Sequence, residues 1–593
     1  MPGVAKRAKQ QQLTAKSRPQ WHWWACLLAL PVLVILLYSN AERAPFVFDD
    51  RIHILDNPYV RAFRSTLDSE AISKLIHNPS GLASRPLLLA TYGWNFASTG
   101  MDAGAFRRIN WLIHAVNALL VFLIAFEIAA NAGAAGRRFQ AALFSGALFA
   151  AHPLLTESVT YVSGRSSSLC ATFYFMGLFA VLRAGRSKSL RWPLLAALIV
   201  CTLIGLLVKQ EAITLPAAGV VLIWLAWPET ETIRRRLTAT STLALGTVLI
   251  LAIQYRPLAD TSATTQNNWE LLAAGFESTL AFFPYFLTAI TAYCSYYLWR
   301  FVLPVNLSLD PEIATVSTPL SAPFLISVIV LCALVYAAFC LHKSRTMLVC
   351  GIGLILVSPL SAYCVFPLAD VVAEHRAYIS VLGLVLVLAD LIVSLPGAAR
   401  ISVWLCLIGL YGWLTIERNA VWNSEIALWQ DASQKAPEKV RPHLNLGALY
   451  QISGQRDQAI REYEFVLQRD SNHSAAVSNL GALYLEVQEP GKAEELLVRA
   501  VEQKSVYPNV YLNLGVLRLR QGRYDEARDL LRQALKFNPR QAMAHLNLGD
   551  ILFNQGRPAD AIKEYLEEIE VNPDFALTHL HLAQAQEAME RLK

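Results

Sequence analysis

The last quarter of this chain repeats with a period of 34 residues, and this period limits the possible fold more than any other feature of the sequence. The tripeptide Asn-Leu-Gly and a later alanine each recur four times with that step, and proline stands at the ends of three repeats. The asparagines are Asn445, Asn479, Asn513 and Asn547, the alanines are Ala459, Ala493, Ala527 and Ala561, and the prolines are Pro437, Pro539 and Pro573. Small residues let two helices cross closely and proline ends a helix, so each repeat predicts one pair of packed helices.

A 34-residue unit with Leu-Gly, then alanine, then proline is the signature of the tetratricopeptide repeat. We therefore predict an α-solenoid over residues 440–593, made of four repeats and a capping helix at about 574–590. Residues 419–439, which contain Trp422 and Glu425, predict a helix that couples this domain to the preceding part of the chain. Such a solenoid offers a groove to an extended peptide or a partner helix, and it supplies no chemistry by itself.

The preceding 418 residues have the composition of a polytopic membrane domain. Over the whole chain 54% of residues are hydrophobic and 16% are charged, whereas soluble domains are about 25% charged. The net charge of +6 is small for 593 residues and lies in short loops, so it gives no support to nucleic-acid binding. We predict an all-α fold with about eleven spans, some of which need tilt or flanking residues. The apolar segments cover residues 21–38, 109–130, 140–152, 165–184, 193–209, 211–228, 237–255, 321–342, 346–366, 377–396 and 400–418.

Charge bias between the loops predicts the orientation in the membrane. The basic segment at residues 1–20 and the short loops with clustered Arg and Lys are expected on the cytoplasmic side. The repeats and the loops at about 40–108, 153–164, 256–278, 304–320 and 367–376 then face outward. This arrangement requires the aromatic-rich residues 273–303 to cross the membrane an even number of times.

Charged residues in the outward loops are the candidate site residues, because polar groups at membrane depth cost roughly 2.5–3.5 kcal/mol and tend to mark function. The adjacent carboxylates Asp49 and Asp50 come first, since they lie just beyond the first apolar run. The others lie in two loops and a charged hinge, and they are His152, Glu157 and Arg165, then Glu374, His375 and Arg376, then Lys209 and Glu211.

Each candidate also has a purely structural explanation. Glu157 and Arg165 could form an ion pair that holds their loop, and His152 before a proline could end a helix. The charged cluster at 370–376, with Glu374, His375 and Arg376, could be a solvated face. Lys209 and Glu211 favour an interhelical pair over a ligand site. One aspartate of the adjacent pair could cap a helix, although a single carboxylate would suffice for that.

The order of these motifs resembles the transmembrane and tetratricopeptide-repeat family of protein O-mannosyltransferases. The resemblance runs from Phe46-Val47-Phe48-Asp49-Asp50 through Arg85-Pro86, His152 to Arg165 and Glu374 to Tyr378 into the repeats. It implies a glycosyltransferase of the GT-C type that moves a sugar, with mannose as the first choice, from a polyprenyl- or dolichyl-phosphate donor to Ser or Thr hydroxyls of extracytoplasmic proteins. The repeats would recruit the acceptor or a partner. The small number of repeats, about four, favours a bacterial relative in the inner membrane. A eukaryotic member would lie in the endoplasmic reticulum.

The resemblance also implies roles for the candidates. Asp49 or Asp50 would be the general base that accepts the proton of the attacking hydroxyl. Arg165 and Arg376 would balance the charge of the leaving phosphate. The supporting residues would be His152, Glu157, Glu374 and His375. The aspartate pair could instead hold a divalent cation, although two carboxylates without a third ligand are a modest metal signal.

Two other classes of protein compete with this interpretation. The chain could be a membrane-anchored tetratricopeptide scaffold for envelope assembly without catalysis, but eleven spans exceed what an anchor needs. It could be a transporter, but then charges are expected in mid-span rather than in loops. The sequence carries no Gly-rich phosphate-binding motif of a nucleotide site, so the energy of transfer would arrive with the lipid donor.

Overall fold

The computed structural model describes residues 21–65, 68–76, 85–131, 137–187, 189–255, 282–360 and 370–591. Throughout these ranges the regular structure is helical, which confirms the predicted all-α class. The chain divides into two compact units, residues 1–428 and 429–593. The division falls within the predicted coupling segment 419–439, and the predicted domain boundaries stay predictions.

The first unit is a bundle of helices. Its longer helices are α1 (Trp21–Tyr38), α2 (Ser69–Ile76), α3 (Pro86–Thr99), α4 (Ala103–Asn131), α5 (Arg138–Ala151), α6 (Arg165–Arg186), α7 (Arg191–Leu206), α8 (Leu215–Leu225), α9 (Ile233–Tyr255), α10 (Phe282–Ala292), α11 (Ala322–Leu341), α12 (Thr346–Val357), α13 (Tyr378–Ser394) and α14 (Gly397–Val421). Short helical turns at Arg51–Leu55, Pro58–Arg61, Pro153–Leu155, Thr156–Val159, Gln210–Thr214, Tyr293–Leu298, Trp299–Val302 and Glu374–Ala377 lie between them.

Every predicted apolar segment overlaps one of these helices. Within the described ranges, five helices are long and apolar enough to cross a membrane: α4, α6, α11, α14, and α13 together with the turn before it. A bent pair, α5 with the turns up to Val159, would make a sixth. The span count of eleven and the topology stay predictions. Residues 1–20, 256–281, 361–369 and 592–593, on which parts of those predictions rest, lie outside the described residues.

Tight crossings of apolar helices form the core of the first unit. Gly351 of α12 and Gly383 of α13 face each other, and a Cβ added to either would lie within 2.5 Å of the other's carbonyl oxygen. Only glycine permits backbones to approach this closely. Helix α11 differs, because only 6% of its most apolar stretch is buried within the protein. An apolar surface of that kind suits contact with lipid.

The second unit is a series of antiparallel helix pairs with the predicted register. After α15 (Glu425–Lys435), whose first residues still belong to the first unit, its helices are α16 (Val440–Ile452), α17 (Arg456–Arg469), α18 (Ser474–Glu486), α19 (Pro490–Glu502), α20 (Pro508–Arg520), α21 (Tyr524–Phe537), α22 (Ala544–Asn554), α23 (Pro558–Val571) and α24 (Ala576–Arg591). The last of these is the predicted fifth first-helix.

The repeated glycine has the role that the sequence pattern predicts. A Cβ on Gly447 or Gly549 would lie about 2.5 Å from the ring of a tyrosine on the second helix of the same repeat. At Gly515 the facing side chain is Leu531, 3.1 Å from the added carbon. The helices of each pair therefore touch at this position, and any side chain there would push them apart.

Candidate functional site

The two adjacent aspartates lie at the end of the loop after α1 and have different surroundings. Asp50 is fully buried. Its Oδ1 accepts hydrogen bonds from the backbone N–H of Ser163 at 2.8 Å and from the Ser163 hydroxyl at 2.6 Å, and its Oδ2 accepts from the N–H of Val47 at 3.2 Å. Asp49 is half-buried. Asp50 makes no side-chain cap on the following turn, so the capping explanation fails for this residue.

Burial dominates the electrostatics of Asp50. It raises the pKa of this carboxyl from 3.8 to about 6, although the hydrogen bonds from Ser163 and Val47 and the positive charge of Arg107 act in the opposite direction. The Arg107 guanidinium is itself buried and donates to the carbonyls of Ala44 and Thr160. It therefore ties the aspartate loop to the loop after α5 and supplies a nearby compensating charge.

Strained backbone precedes the pair. Phe48 has φ = +51°, a left-handed conformation that costs a non-glycine residue about 1–3 kcal/mol and persists only where its surroundings impose it. Two contacts do so: the Phe48 N–H donates to Glu425 Oε1 at 3.2 Å, and its ring packs on Tyr161. Tyr161 stacks in turn on Trp422. The position of Asp49 thus depends on the first residue of α15.

A second group of charged side chains lies where the loop after α5 meets the turn before α13. Glu157 is buried, and both its oxygens contact one residue: Oε1 lies 2.6 Å from His375 Nδ1, and Oε2 accepts from the His375 N–H at 3.2 Å. Glu374 is also buried and accepts from the Tyr296 hydroxyl and the Ser308 N–H, with Arg418 beside it at 3.4 Å.

Three cations surround His375. Lys209, Arg376 and Arg85 all lie within electrostatic range of its ring. Lys209 is buried and paired with Glu211 at 2.7 Å, and the charges of Arg85 and Arg376 also lie within electrostatic range of it. Arg376 donates to the carbonyl of Asp370 at 2.6 Å. The predicted pairing of Lys209 with Glu211 is thus present, but between neighbours on one turn rather than between helices.

The aspartate pair and the cations belong to one neighbourhood. Arg85 lies within electrostatic range of both His53, which also faces Asp49, and His375. The phenol of Tyr161 lies within range of Asp49, Asp50 and Glu157. Arg85 precedes α3 with φ = +51°, a second left-handed residue at this site. Acidic and basic groups from five separate chain segments therefore converge at one end of the bundle.

Two predicted site residues have mainly structural surroundings. Arg165 is fully buried and donates five hydrogen bonds to neutral acceptors: Asn110 Oδ1, Asn95 Oδ1, the Phe106 carbonyl, and the carbonyl and hydroxyl of Thr91. It does not pair with Glu157, so the ion-pair alternative was wrong. The phosphate-binding role of Arg165 stays a prediction.

His152 is the other residue of this kind. It is buried, its Nε2 contacts the Phe301 carbonyl at 2.9 Å, and its Nδ1 accepts from the Leu154 N–H. This is the helix-end role that the sequence left open.

Sequence reasoning missed several residues that hold the site together. Ser163, Arg107, Arg85 and Arg418 were not among the candidates, although Arg85 and Ser163 lie within the segments that carry the family resemblance. Within the described part of the chain, no three His, Cys, Asp or Glu side chains form a group that could hold a metal ion. A divalent cation at Asp49 and Asp50 stays a prediction.

Comparison with protein-family models identifies the repeats. Residues 473–540 and 512–576 each match a model described as tetratricopeptide repeat. The predicted tetratricopeptide domain is therefore confirmed over this part of the chain.

Over most of its length the chain is similar to proteins named protein O-mannosyl-transferase. It is 25% identical to TMTC1 of Homo sapiens over 77% of this chain and 56% of that protein, and 26% identical to human TMTC4 over 74% of this chain and 66% of that protein. Drosophila melanogaster Tmtc2 is 32% identical over 31% of this chain and 20% of that protein. The predicted TMTC-like resemblance is thus confirmed, and it indicates a membrane protein. The chain spans little more than half to two thirds of the length of the human relatives.

Solved structures match the chain only in part. The crystal structure of MamA is 27% identical and covers 26% of this chain and 84% of that one, with a TM-score of 0.23. The structure of YrrB, described as a TPR protein with an unusual peptide-binding site, is 21% identical, covers 27% of this chain and 82% of that one, and has a TM-score of 0.23.

Proposed function

We propose that this protein is an integral membrane glycosyltransferase of the GT-C type that transfers mannose from a polyprenyl- or dolichyl-phosphate donor to Ser or Thr hydroxyls of extracytoplasmic proteins. The names of its relatives support mannosyl transfer to proteins. The five apolar helices support a donor that is itself anchored in the membrane. The observation that carries the proposal is the convergence of the aspartate pair with Arg85, Lys209 and Arg376 at one end of the bundle.

Asp49 is the general base in this proposal. A base must reach the acceptor hydroxyl, and Asp49 is half-buried, whereas Asp50 is fully enclosed with both oxygens bonded to Ser163 and Val47. Asp50 then acts as a positioning residue that fixes the backbone of its neighbour. The proposal therefore chooses Asp49 from the two carboxylates between which the sequence does not decide.

The proposed reaction is one displacement at the anomeric carbon. The acceptor oxygen forms a bond to this carbon while Asp49 takes the hydroxyl proton, and the bond from the carbon to the phosphate oxygen breaks with its electron pair leaving on the phosphate. The leaving lipid phosphate gains negative charge, which Arg376, Lys209 and Arg85 offset. We leave Arg165 out of this role because its donors bind neutral groups of the protein. The sugar configuration inverts.

The repeats have a recruiting role in the proposal. Tetratricopeptide stacks bind extended peptides or helices, and a protein acceptor must present a hydroxyl at the proposed site. We place the repeats and the site on the extracytoplasmic side, as the charge bias of the loops predicts. Removing residues 440–593 should therefore reduce transfer to protein acceptors more than hydrolysis of the donor, and equal loss of both activities would contradict the recruiting role.

The activity is tested with the full chain in lipid nanodiscs, polyprenyl-phosphate mannose carrying a radiolabel, and a Ser/Thr-rich peptide. The Asp49→Asn variant should lose roughly 100-fold or more in rate, which is the usual contribution of a general base. Asp56→Asn is the matched control, because this exposed aspartate pairs with Arg51 on the same loop. If the wild type transfers mannose and Asp49→Asn is equally active, the assignment of the base is refuted. If the wild type transfers no mannose, the scaffold alternative is favoured.

A further inference from the structure

The contact between Glu157 and His375 fixes the imidazole ring in one orientation. One carboxylate oxygen contacts the ring Nδ1 at 2.6 Å, and the other accepts from the backbone N–H of the same histidine at 3.2 Å. The Glu157 side chain is 3% exposed, whereas that of His375 is 26% exposed. A buried carboxylate thus holds a histidine side chain that is itself partly exposed.

This orientation decides what the second ring nitrogen can do. When Glu157 is ionised, its oxygens only accept hydrogen bonds, and the proton of the neutral ring then lies on Nδ1 and the lone pair on Nε2. A second proton would place a further positive charge beside Lys209, Arg376 and Arg85, with Glu211 as the opposing charge. Among the described residues, no donor lies within hydrogen-bond distance of Nε2. With the proton on Nδ1, Nε2 of His375 is an acceptor that no described protein donor occupies.

An acceptor in this place excludes one partner and favours another. The phosphodiester of the proposed donor carries oxygen acceptors and no O–H, so it cannot donate to Nε2, and the three cations suit it better. Hydroxyls of the sugar can donate. The hydroxyl closest to a glycosyl phosphate is that on C2, which is bonded to the anomeric carbon, and hydrogen bonds to this group strengthen as charge develops at the reacting centre.

We propose that His375 is a specificity-determining residue whose Nε2 accepts a hydrogen bond from the 2-hydroxyl of the donor sugar, with Glu157 as its positioning residue. This assignment rests on the proposed function. The assignment adds to the proposed function by naming the part of the donor that the protein recognises beside the phosphate. The contact belongs mainly to the transition state, so its loss lowers kcat more than it raises KM.

The test compares two donors and several variants of the full chain in nanodiscs. The donors are polyprenyl-phosphate mannose and its 2-deoxy analogue, and the readout is the ratio of their kcat/KM values. The wild type should prefer the hydroxylated donor by about 10-fold to 100-fold. The 2-deoxy analogue lacks the hydroxyl and therefore leaves Nε2 of His375 without a partner in the closed site. In His375→Ala the rate with the mannosyl donor should fall by that factor while the rate with the 2-deoxy donor stays the same. The preference should then disappear.

Further variants separate recognition from folding. His375→Gln keeps a side-chain acceptor and should retain part of the preference, which provides a second measurement if the alanine variant does not fold. His342→Ala, an exposed histidine at the end of α11, is the control and should leave both rates unchanged. Equal slowing of both donors by His375→Ala and His375→Gln would refute the assignment alone. Transfer of neither sugar by the wild type would refute the proposed function and this assignment together.

Discussion

Replacing Asp50 by asparagine should change how the stability of the protein depends on pH. In the folded state burial holds the pKa of Asp50 at about 6, while in the unfolded chain it has its ordinary value of 3.8. Between these values the folded protein binds a proton that the unfolded chain has released. The free energy of unfolding therefore falls as pH rises through this window, and the contribution of Asp50 to stability is fully lost above pH 6. Asparagine does not titrate and removes this dependence.

The magnitude follows from the width of the window and from the contacts of the carboxylate. About two pH units correspond to about 3 kcal/mol. The asparagine carbonyl can still accept from Ser163, but its NH2 group then faces the Val47 N–H, which costs about 1–3 kcal/mol at every pH. The variant should therefore be less stable than the wild type near pH 4 and about as stable near pH 7. Between these two pH values, the Tm of the variant should rise by several degrees relative to that of the wild type.

The assay is thermal unfolding of the full chain in detergent, followed by tryptophan fluorescence from pH 4 to 7.5 at one heating rate. Other titrating groups contribute equally to both proteins, so the difference in Tm isolates Asp50. Asp56→Asn, an exposed aspartate on the same loop, is the matched control for replacing a carboxylate by an amide. A constant difference between wild type and Asp50→Asn over the whole range would show that burial does not perturb this carboxyl and would refute the reasoning.

Three further results are expected. Arg165→Lys should lower Tm by several degrees and reduce the yield of folded protein, because an ammonium with three donors leaves neutral acceptors of the guanidinium unpaired at about 1–3 kcal/mol each; an unchanged Tm would contradict the hydrogen-bond network. Gly549→Ala should destabilise the repeats more than Gly515→Ala, since a tyrosine ring at 2.4 Å yields less easily than a leucine side chain at 3.1 Å, and proteolysis of the repeats measures the difference. Glu425→Ala should slow transfer and Glu425→Gln should restore it, because glutamine can still accept from the Phe48 N–H; equal activity of both variants would refute the positioning role.

The helices of this protein could be predicted from local patterns in the sequence. The 34-residue period places the repeat helices in register, because the small residues at Gly447 and Ala459 are the contacts that set the crossing of one pair. Apolar runs likewise place the helices of the first unit. The run at 211–228 shows where this reasoning loses detail: it begins with the tight turn Gln210–Thr214 that carries Glu211, and α8 follows. Hydrophobicity alone does not distinguish such a turn from the start of a span.

The site could be predicted only as a set of residue types near the ends of helices. Asp49 and Asp50 stood out as charges beside an apolar run, but the group that binds Asp50 is Ser163, which is 113 residues away and has no distinctive local pattern. The family resemblance assigned Arg165 to the donor phosphate, and that role stays a prediction. Its actual partners are amides, carbonyls and a hydroxyl 55 to 74 residues earlier in the chain. Such neutral acceptors are common everywhere, so the sequence does not single them out.

The surroundings of Arg165 also have a consequence for the order in which the membrane unit assembles. Its acceptors lie on α3 and α4, and Arg165 is the first residue of α6. A cation without a carboxylate partner is costly in lipid until those acceptors surround it. Because α3 and α4 precede α6 in the chain, their acceptors are synthesised first, and α6 can take its final place only after they have come together. We therefore expect α3 and α4 to pack together before α6 joins the bundle.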